Sequence, residues 1–357
     1  MKKLIIILVL AFILIGCVKP IDQYDVNTEL DTIHITEAGE ITSLNLDIFK
    51  NRYSFNRIEF TSSNTDVMRI NYKEELVSLR AGKARIKASL FDDNDLLCVV
   101  NLGTYFVIDL DSSDFMPIKS INDLQKIKAN GLYYLDSNLE IAEPIKQIGL
   151  FQGILLNPNS YEIKSLISNG KESTAMFKTI NEAYIDGLIF SNINIKDQPI
   201  NLNILADSIN NSHISNIEIN GILKNGYQIS PLSRIATNST IDNVSFNGEI
   251  SGGKLMGGLI GILRDSNVTN ISIDATFNTL EDNTCEIGGV AAYIEGGKIS
   301  DSIVRANINA KNGDITSVVA NARNKIYYLE NISYFNSSYP VYDEKLCINP
   351  IVTILPN

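Results

Sequence analysis

The 357-residue sequence contains no tryptophan and only two histidines, His34 and His213. Two imidazoles leave little room for histidine-based metal binding or acid–base catalysis. Basic residues are in the minority, because 30 Lys and Arg stand against 41 Asp and Glu, and the formal net charge is −11. Proteins that grip nucleic acids neutralise phosphates with positive charge, so this composition argues against a nucleic-acid partner.

Cysteine is also scarce, and the four cysteines are widely spaced. The spacing excludes a CxxC metal clamp. With Cys17 set aside for the reason below, three remain (Cys98, Cys285 and Cys347), which allows one intramolecular disulfide at most and leaves its formation open. The acidic stretches DDND (92–95) and DLDSSD (109–114) lack the spacing of an EF-hand loop. The sequence predicts no cofactor and leaves calcium binding open.

Long hydrophobic runs are limited to one, at the N-terminus, where Lys2 and Lys3 precede an unbroken apolar stretch over residues 4–15. This stretch is too short to cross a bilayer comfortably and is typical of a secretory signal. It ends in Leu14-Ile15-Gly16-Cys17, which resembles the lipobox of bacterial lipoproteins. The resemblance implies a signal peptide over 1–16 and a lipid on Cys17 that anchors the chain at the outer side of the cell membrane. An uncleaved anchor is the alternative, and both readings export the rest of the chain.

Residues 17–30 are polar and lack periodicity, which predicts a tether. From 31 to 111, short β-branched segments recur about every ten residues, which predicts an all-β sandwich. The stretch FTSSNTDVMRINYKEELVSLRAGKARIKASL, with its SSN and AG signatures, resembles a bacterial immunoglobulin-like domain of group 2. The tryptophan that usually precedes Ser-Ser in that family is missing here. The resemblance implies a spacer that presents another domain.

A helix is predicted over 121–129 because apolar residues repeat every three positions and Asn130-Gly131 follows. Strands are predicted around 132–135 and 161–167.

The chain is internally repetitive from about residue 173, with a period of 27 to 31 residues. Each repeat contains two short apolar segments. The aligned core positions are Met176, Leu205, Leu232, Leu259, Val290 and Val318 in one segment, and Ile185, Ile214, Ile241, Val268, Ile299 and Leu329 in the other.

Two residues after the second core position, every repeat has a residue that tolerates the left-handed backbone conformation. These residues are Gly187, Asn216, Asn243, Asn270, Asp301 and Asn331. We interpret this set, the bend ladder, as a backbone requirement and not as a chemical site. Short β-branched strands joined by such bends predict a parallel β-helix over 117–345, with a C-terminal tail over 346–357.

The segments MGGLIGILRDSNVTNISIDATF and IGGVAAYIEGGKISDSIVRANI also resemble the GLUG-motif repeats of bacterial surface proteins. The resemblance supports the solenoid fold and says little about a ligand, because one fold carries many functions.

A search for catalytic groups along the repeat finds no convincing set. Asp186, Asp242 and Glu330 share one register position, but a full coil separates even the closest two. The segments GGLIG and GGVAA lack the Lys and the following helix of a phosphate loop. His213 is expected to be exposed.

The leading hypothesis is a lipid-anchored bacterial surface protein that is not an enzyme, in which the sandwich is a spacer and the β-helix binds an external ligand. A glycan, a matrix protein or a neighbouring cell are the candidate ligands. The alternatives are a carbohydrate-active enzyme, which would require paired carboxylates in one groove, and a purely structural envelope protein.

Overall fold

The computed structural model confirms the predicted all-β class, with 63% strand and 2% helix among the residues that it describes. An N-terminal β-sandwich is followed by a parallel β-helix of about seven turns. The boundary between the two compact units falls between Ser112 and Ser113. The residues that the structure describes are 33–44, 54–196, 200–279, 285–310, 312–335, 339–342, 347–348 and 350–354.

Two sheets form the sandwich. Its strands are β1 (Ile33–Glu37), β2 (Ile41–Ser43), β3 (Arg57–Ser62), β4 (Met68–Ile70), β5 (Glu75–Ser78), β6 (Gly82–Asp92) and β7 (Asp95–Ile108). One sheet has the order β1-β7-β6-β3 and the other β2-β5-β4. Leu76 of the smaller sheet and Ile86 and Val100 of the larger sheet belong to one cluster of buried side chains. Because apolar and polar residues alternate along the strands, one side of each sheet is apolar, and these two sides pack into a shared core.

The DDND stretch forms the tight turn between β6 and β7, with Asp93 in the left-handed region at φ 51°. Asn56 Nδ2 donates to Asp92 Oδ1 at 3.2 Å and to Asp93 Oδ1 at 2.9 Å. The Asn56 side-chain amide thus ties both carboxylates of the turn to the start of β3.

The helix α1 (Ile121–Gln125) is shorter than the predicted 121–129. The Ser120 side chain accepts from the Asp123 amide at its N-terminus, and Leu124 is buried against the solenoid core. The Lys128 amide donates to the Tyr133 hydroxyl at 2.8 Å and not to a carbonyl one turn earlier. The backbone therefore leaves the helix early, although the apolar spacing continues.

The solenoid consists of short, mainly parallel strands. Up to residue 210 these are β8 (Met116–Ile118), β9 (Leu132–Leu135), β10 (Leu139–Glu140), β11 (Ile148–Phe151), β12 (Ile154–Leu156), β13 (Glu162–Lys164), β14 (Phe177–Asn181), β15 (Tyr184–Asp186), β16 (Ile189–Ile195) and β17 (Ala206–Asn210). The next seven are β18 (His213–Lys224), β19 (Gln228–Ile229), β20 (Ser233–Thr237), β21 (Thr240–Ser251), β22 (Leu255–Gly257), β23 (Ile260–Thr269) and β24 (Ser272–Asn278). The last seven are β25 (Cys285–Gly288), β26 (Ala291–Asn309), β27 (Gly313–Thr316), β28 (Val319–Ala322), β29 (Tyr327–Phe335), β30 (Cys347–Ile348) and β31 (Val352–Ile354).

The register of neighbouring coils confirms the repeat alignment. Ile185 pairs with Ile214, Ile214 with Ile241, and the series continues through Val268 and Ile299 to Leu329. All of these side chains are buried in one continuous core. Beyond the predicted end at 345, β30 and β31 still pair in parallel with β29.

A row of buried serines runs inside the solenoid beside this core. The Ser212 amide donates to Ser239 Oγ at 3.1 Å, and the Ser239 amide donates to Ser266 Oγ at 3.0 Å. Each hydroxyl in turn donates to the carbonyl two residues earlier in its own coil, at 2.6 to 2.8 Å. The hydroxyls thus satisfy backbone groups at a turn where the regular strand ladder is interrupted.

Candidate functional site

The candidate site is a groove beside the double-glycine turns. Between β22 and β23 the chain turns at Gly257-Gly258, and between β25 and β26 it turns at Gly288-Gly289. A Cβ added to Gly258 would lie 1.8 Å from the Gly289 carbonyl oxygen, and one added to Gly288 would lie 1.9 Å from the Ala291 carbonyl oxygen. Only glycine fits so close an approach of backbone, so these motifs serve a sharp corner and not a phosphate.

A cavity of about 510 Å³ opens beside the strands that lead into these turns. We call it the corner groove. Its lining residues come from the four-stranded sheet β19-β22-β25-β27, from the residues just before β19 and β22, and from β26. They are Tyr227, Gln228, Lys254, Leu255, Cys285, Glu286, Tyr293, Gly313 and Asp314.

One wall of the corner groove receives one residue from each coil. Gln228 pairs with Leu255, Leu255 with Glu286, and Glu286 with Asp314 in the parallel register. Neighbouring strands lie about 4.8 Å apart, so the Glu286 and Asp314 carboxylates sit on adjacent rungs of one wall.

Glu286 is the unusual group of the groove. Its side chain is partly buried, and among the described residues its Oε2 atom has no hydrogen-bond partner. Loss of hydration raises the pKa of the Glu286 carboxyl above its ordinary value. The positive charge of Arg323 opposes this rise, and the negative charge of Asp314 adds to it.

Tyr293 of β26 also lines the groove. Its ring is 8% exposed, and the Arg323 guanidinium carbon lies 3.9 Å from the ring centroid. This cation–π contact holds the arginine flat against the ring, within electrostatic reach of Glu286. Asn321 of β28 pairs with Tyr293 in the parallel register. The Asn321 Nδ2 atom donates to Asp314 Oδ2 at 3.5 Å.

Tyr227 and Lys254 form the rim on adjacent coils, joined by a hydrogen bond of 3.0 Å from the Lys254 amide to the Tyr227 carbonyl. The Tyr227 ring is 61% exposed. At the floor, Cys285 is buried, donates its thiol to the Asn312 carbonyl at 3.1 Å, and has its pKa raised by that burial. A protonated, buried thiol is a poor nucleophile.

A smaller cavity of about 160 Å³ lies on earlier coils, where its lining includes Lys171, Glu172 and Asp207. Arg234 Nε and Nη2 donate to the two Asp207 carboxylate oxygens at 2.8 and 3.1 Å. Asp207 of this cavity therefore has a charged partner, whereas Glu286 of the corner groove has an oxygen without a hydrogen-bond partner among the described residues.

The six residues of the bend ladder all have φ between 51° and 80°. Asn243 Nδ2 donates to Asn216 Oδ1 at 2.6 Å, and Asn331 Nδ2 donates to Asp301 Oδ1 at 2.9 Å. Asn216 and Asn270 instead donate to Asp186 and Asp242 of the neighbouring row. The bend ladder lies apart from the corner groove, and Cys17 lies outside the described residues.

The row of Asp186 and Asp242 contains no carboxylate pair. Ser215 lies between them in the register and donates to Asp186 Oδ1 at 2.7 Å. The expectation that His213 is exposed was wrong, because its ring is half-buried against Tyr184, with the centroids 5.5 Å apart. Burial lowers the pKa of His213, while Asp242 and Asp186 act in the opposite direction.

Sequence reasoning missed the corner groove because it compared carboxylates only along the row beside the bend. The available signal was position relative to the glycine corner: Glu286 and Asp314 each lie two residues before the corner, in EIGG and DITS. Within the described residues, no group of three His, Cys, Asp or Glu could hold a metal ion, and no helix is long and apolar enough to span a membrane.

No family model and no curated protein matches this sequence. Four solved chains match the fold. One is "IgA1 Protease", with 15% sequence identity and a TM-score of 0.40. The similarity covers 84% of this chain and 28% of that chain, so this protein spans little more than a quarter of the other's length.

Proposed function

We propose that this chain is a lipid-anchored protein of the bacterial cell surface, whose solenoid binds an external ligand while the N-terminal sandwich acts as a spacer of the immunoglobulin-like type. The observation that carries the binding role is the corner groove, whose lining includes Glu286, with a buried carboxylate oxygen that has no partner among the described residues, and the exposed Tyr227. The lipobox-like segment ending at Cys17 and the GLUG-like repeats support the location.

Anchoring is tested by labelling growing cells with a radioactive fatty acid and isolating the protein. Incorporation that is lost in Cys17→Ser would support the lipid anchor. Label in the variant, or none in the wild type, would contradict it.

Binding is tested by applying the full-length chain in detergent micelles to immobilised glycans and matrix proteins, followed by analysis of the glycans for cleavage. Saturable binding to intact glycans or matrix proteins supports adhesion. No binding to any immobilised glycan or matrix protein would favour a purely structural envelope role.

A carbohydrate-active enzyme is the second candidate, and the Glu286–Asp314 pair on adjacent rungs favours it. Glycosidases use two carboxyl groups about 5 to 9 Å apart, one of them with a raised pKa that lets it act as the acid. If the array yields shortened glycans, Glu286→Gln should abolish the shortening. Shortening that survives this substitution would exclude the pair.

A further inference from the structure

We infer that the corner groove binds a neutral glycan chain along the solenoid axis: Glu286 and Asp314 accept hydrogen bonds from sugar hydroxyls, and the Tyr227 ring packs against the face of a sugar ring. This inference names the ligand class for the binding role proposed above and rests on that role.

The first support is an acceptor without a donor. Glu286 Oε2 is shielded from solvent and has no hydrogen-bond partner among the described residues. Such an oxygen costs stability unless a donor reaches it. Because the Glu286 side chain lines a cavity that opens to solvent, a small rotation of this side chain would bring the carboxylate within reach of a donor on a ligand. Vicinal hydroxyls supply donors in pairs, which suits two carboxylates on adjacent rungs.

The second support is the charge of the groove. Arg323 is exposed and stacks on Tyr293, its charge opposes that of Glu286, and Lys254 lies at the rim. Asp314, on the coil after Glu286, is the second acidic residue of the groove. With two acids opposed by two bases, the groove offers no excess positive charge to an anionic polymer. An acidic sugar would also place its carboxylate against Glu286 and Asp314.

The third support is shape. Tyr227 presents an exposed ring at the rim, and aromatic rings pack well against the C–H face of a pyranose. The volume of about 510 Å³ lies within the range of ligand sites. Successive wall residues are separated by about 4.8 Å, close to the length of one sugar residue in an extended chain. A chain laid along the axis would therefore meet one wall residue per sugar.

The test is titration calorimetry of the full-length chain in detergent micelles. The neutral probes are cellohexaose, xylohexaose, mannohexaose and maltohexaose, and the charged probes are an oligogalacturonate hexamer and a chitosan hexamer. We expect saturable binding of at least one neutral hexamer, with weaker binding of both charged hexamers. No binding of any neutral hexamer, or tighter binding of a charged one, would overturn the inference.

Two variants locate the site. Glu286→Gln keeps the shape of the side chain and removes its charge, and Tyr227→Ala removes the ring. Each should raise Kd for the neutral hexamer about tenfold or more. The matched controls are Glu218→Gln, an exposed carboxylate on β18, and Tyr72→Ala, a 90% exposed tyrosine in the sandwich, and neither should change Kd. Wild-type affinity in both groove variants would place binding elsewhere.

These outcomes are separable from those of the proposed function. Fatty-acid labelling at Cys17 does not involve the groove, so its failure leaves the hexamer titration unaffected. Conversely, binding on the array that persists in both groove variants keeps the adhesive role and rejects the corner groove as its site.

Discussion

Glu286 is a residue that the fold tolerates at a cost. Its carboxyl is partly desolvated, its pKa is raised mainly by that desolvation, and one oxygen lacks a partner among the described residues. The folded chain therefore holds the Glu286 proton more tightly than the unfolded chain. The contribution of this group to stability is greatest below the ordinary carboxyl pKa of 4.5 and is lost as pH rises through the folded pKa.

Glu286→Gln should consequently raise Tm at pH 7 by about 1–3 °C, because the neutral amide avoids the cost of the buried charge. At pH 4 the difference should shrink, since the wild-type carboxyl is then mostly protonated. Calorimetric scans of both proteins at the two pH values check this. A lower Tm for the variant at pH 7 would show that the carboxylate has a stabilising partner.

Gly258 tests the corner itself. Gly258→Ala should destabilise the protein by about 3 kcal/mol or more, because the new Cβ has no room beside the Gly289 carbonyl oxygen. The matched control is Gly149→Ala, where nothing lies within 4 Å of the added Cβ. There the smaller entropy of the unfolded chain should stabilise by up to about 1 kcal/mol. Urea unfolding of the two variants should thus move in opposite directions, and equal shifts would refute the steric account.

His213 tests the effect of acid on the solenoid. Burial lowers its pKa below the ordinary 6.5, so the unfolded chain binds this proton more readily than the folded chain. The share of stability that depends on neutral His213 is present at pH 7 and is lost as pH falls through 6.5 towards the folded pKa. In His213→Gln, the loss of unfolding free energy between pH 7 and pH 5 should be smaller than in the wild type. An unchanged pH profile would mean that Asp186 and Asp242 offset the burial completely.

At the scale of the elements, the bends between strands are set by backbone conformation. Asn243 has φ 51° and its side chain lies on the exposed surface. Asn243→Ala should cost about 1–2 kcal/mol, because alanine resists the left-handed region. Asn243→Gly should cost less than about 1 kcal/mol, because glycine adopts this region freely. Equal losses in urea unfolding would instead assign the cost to the hydrogen bond with Asn216.

The strands that the sequence predicted correctly have an apolar core residue at the same position in every coil. Ile214, Ile241 and Val268 all face the core, so the same apolar requirement recurs in every coil and marks the repeat. The strands of the corner sheet are only two to four residues long, and the residues that they contribute to the groove differ in type from Gln228 to Asp314. These residues share no side-chain type that would reveal the row in the sequence, so only the strand register shows that they line one groove.

The predicted helix over 121–129 is longer than the observed one for a different local reason. Apolar residues at three-residue intervals continue to Ile127, but the Lys126 and Ile127 amides already donate to carbonyls three residues earlier, and the Lys128 amide donates to the Tyr133 hydroxyl. The spacing of apolar residues alone does not show where these hydrogen bonds change.

At the scale of the whole molecule, two cores hold two units, and the larger one is a stack. The side chains from Ile118 to Tyr334 form one continuous cluster, in which each coil buries its faces against its neighbours. Because contacts run mainly between successive coils, the cost of a defect such as Gly258→Ala is borne by the adjoining coils as well as by its own.

The stack also fixes the spacing of the residues along the corner groove. Each added coil of about 27 to 31 residues would lengthen the corner wall by one rung, about 4.8 Å, and would contribute one further outward side chain to it. Duplicating or deleting a single unit would therefore change the number of positions along the wall in integer steps, without redesigning those already present.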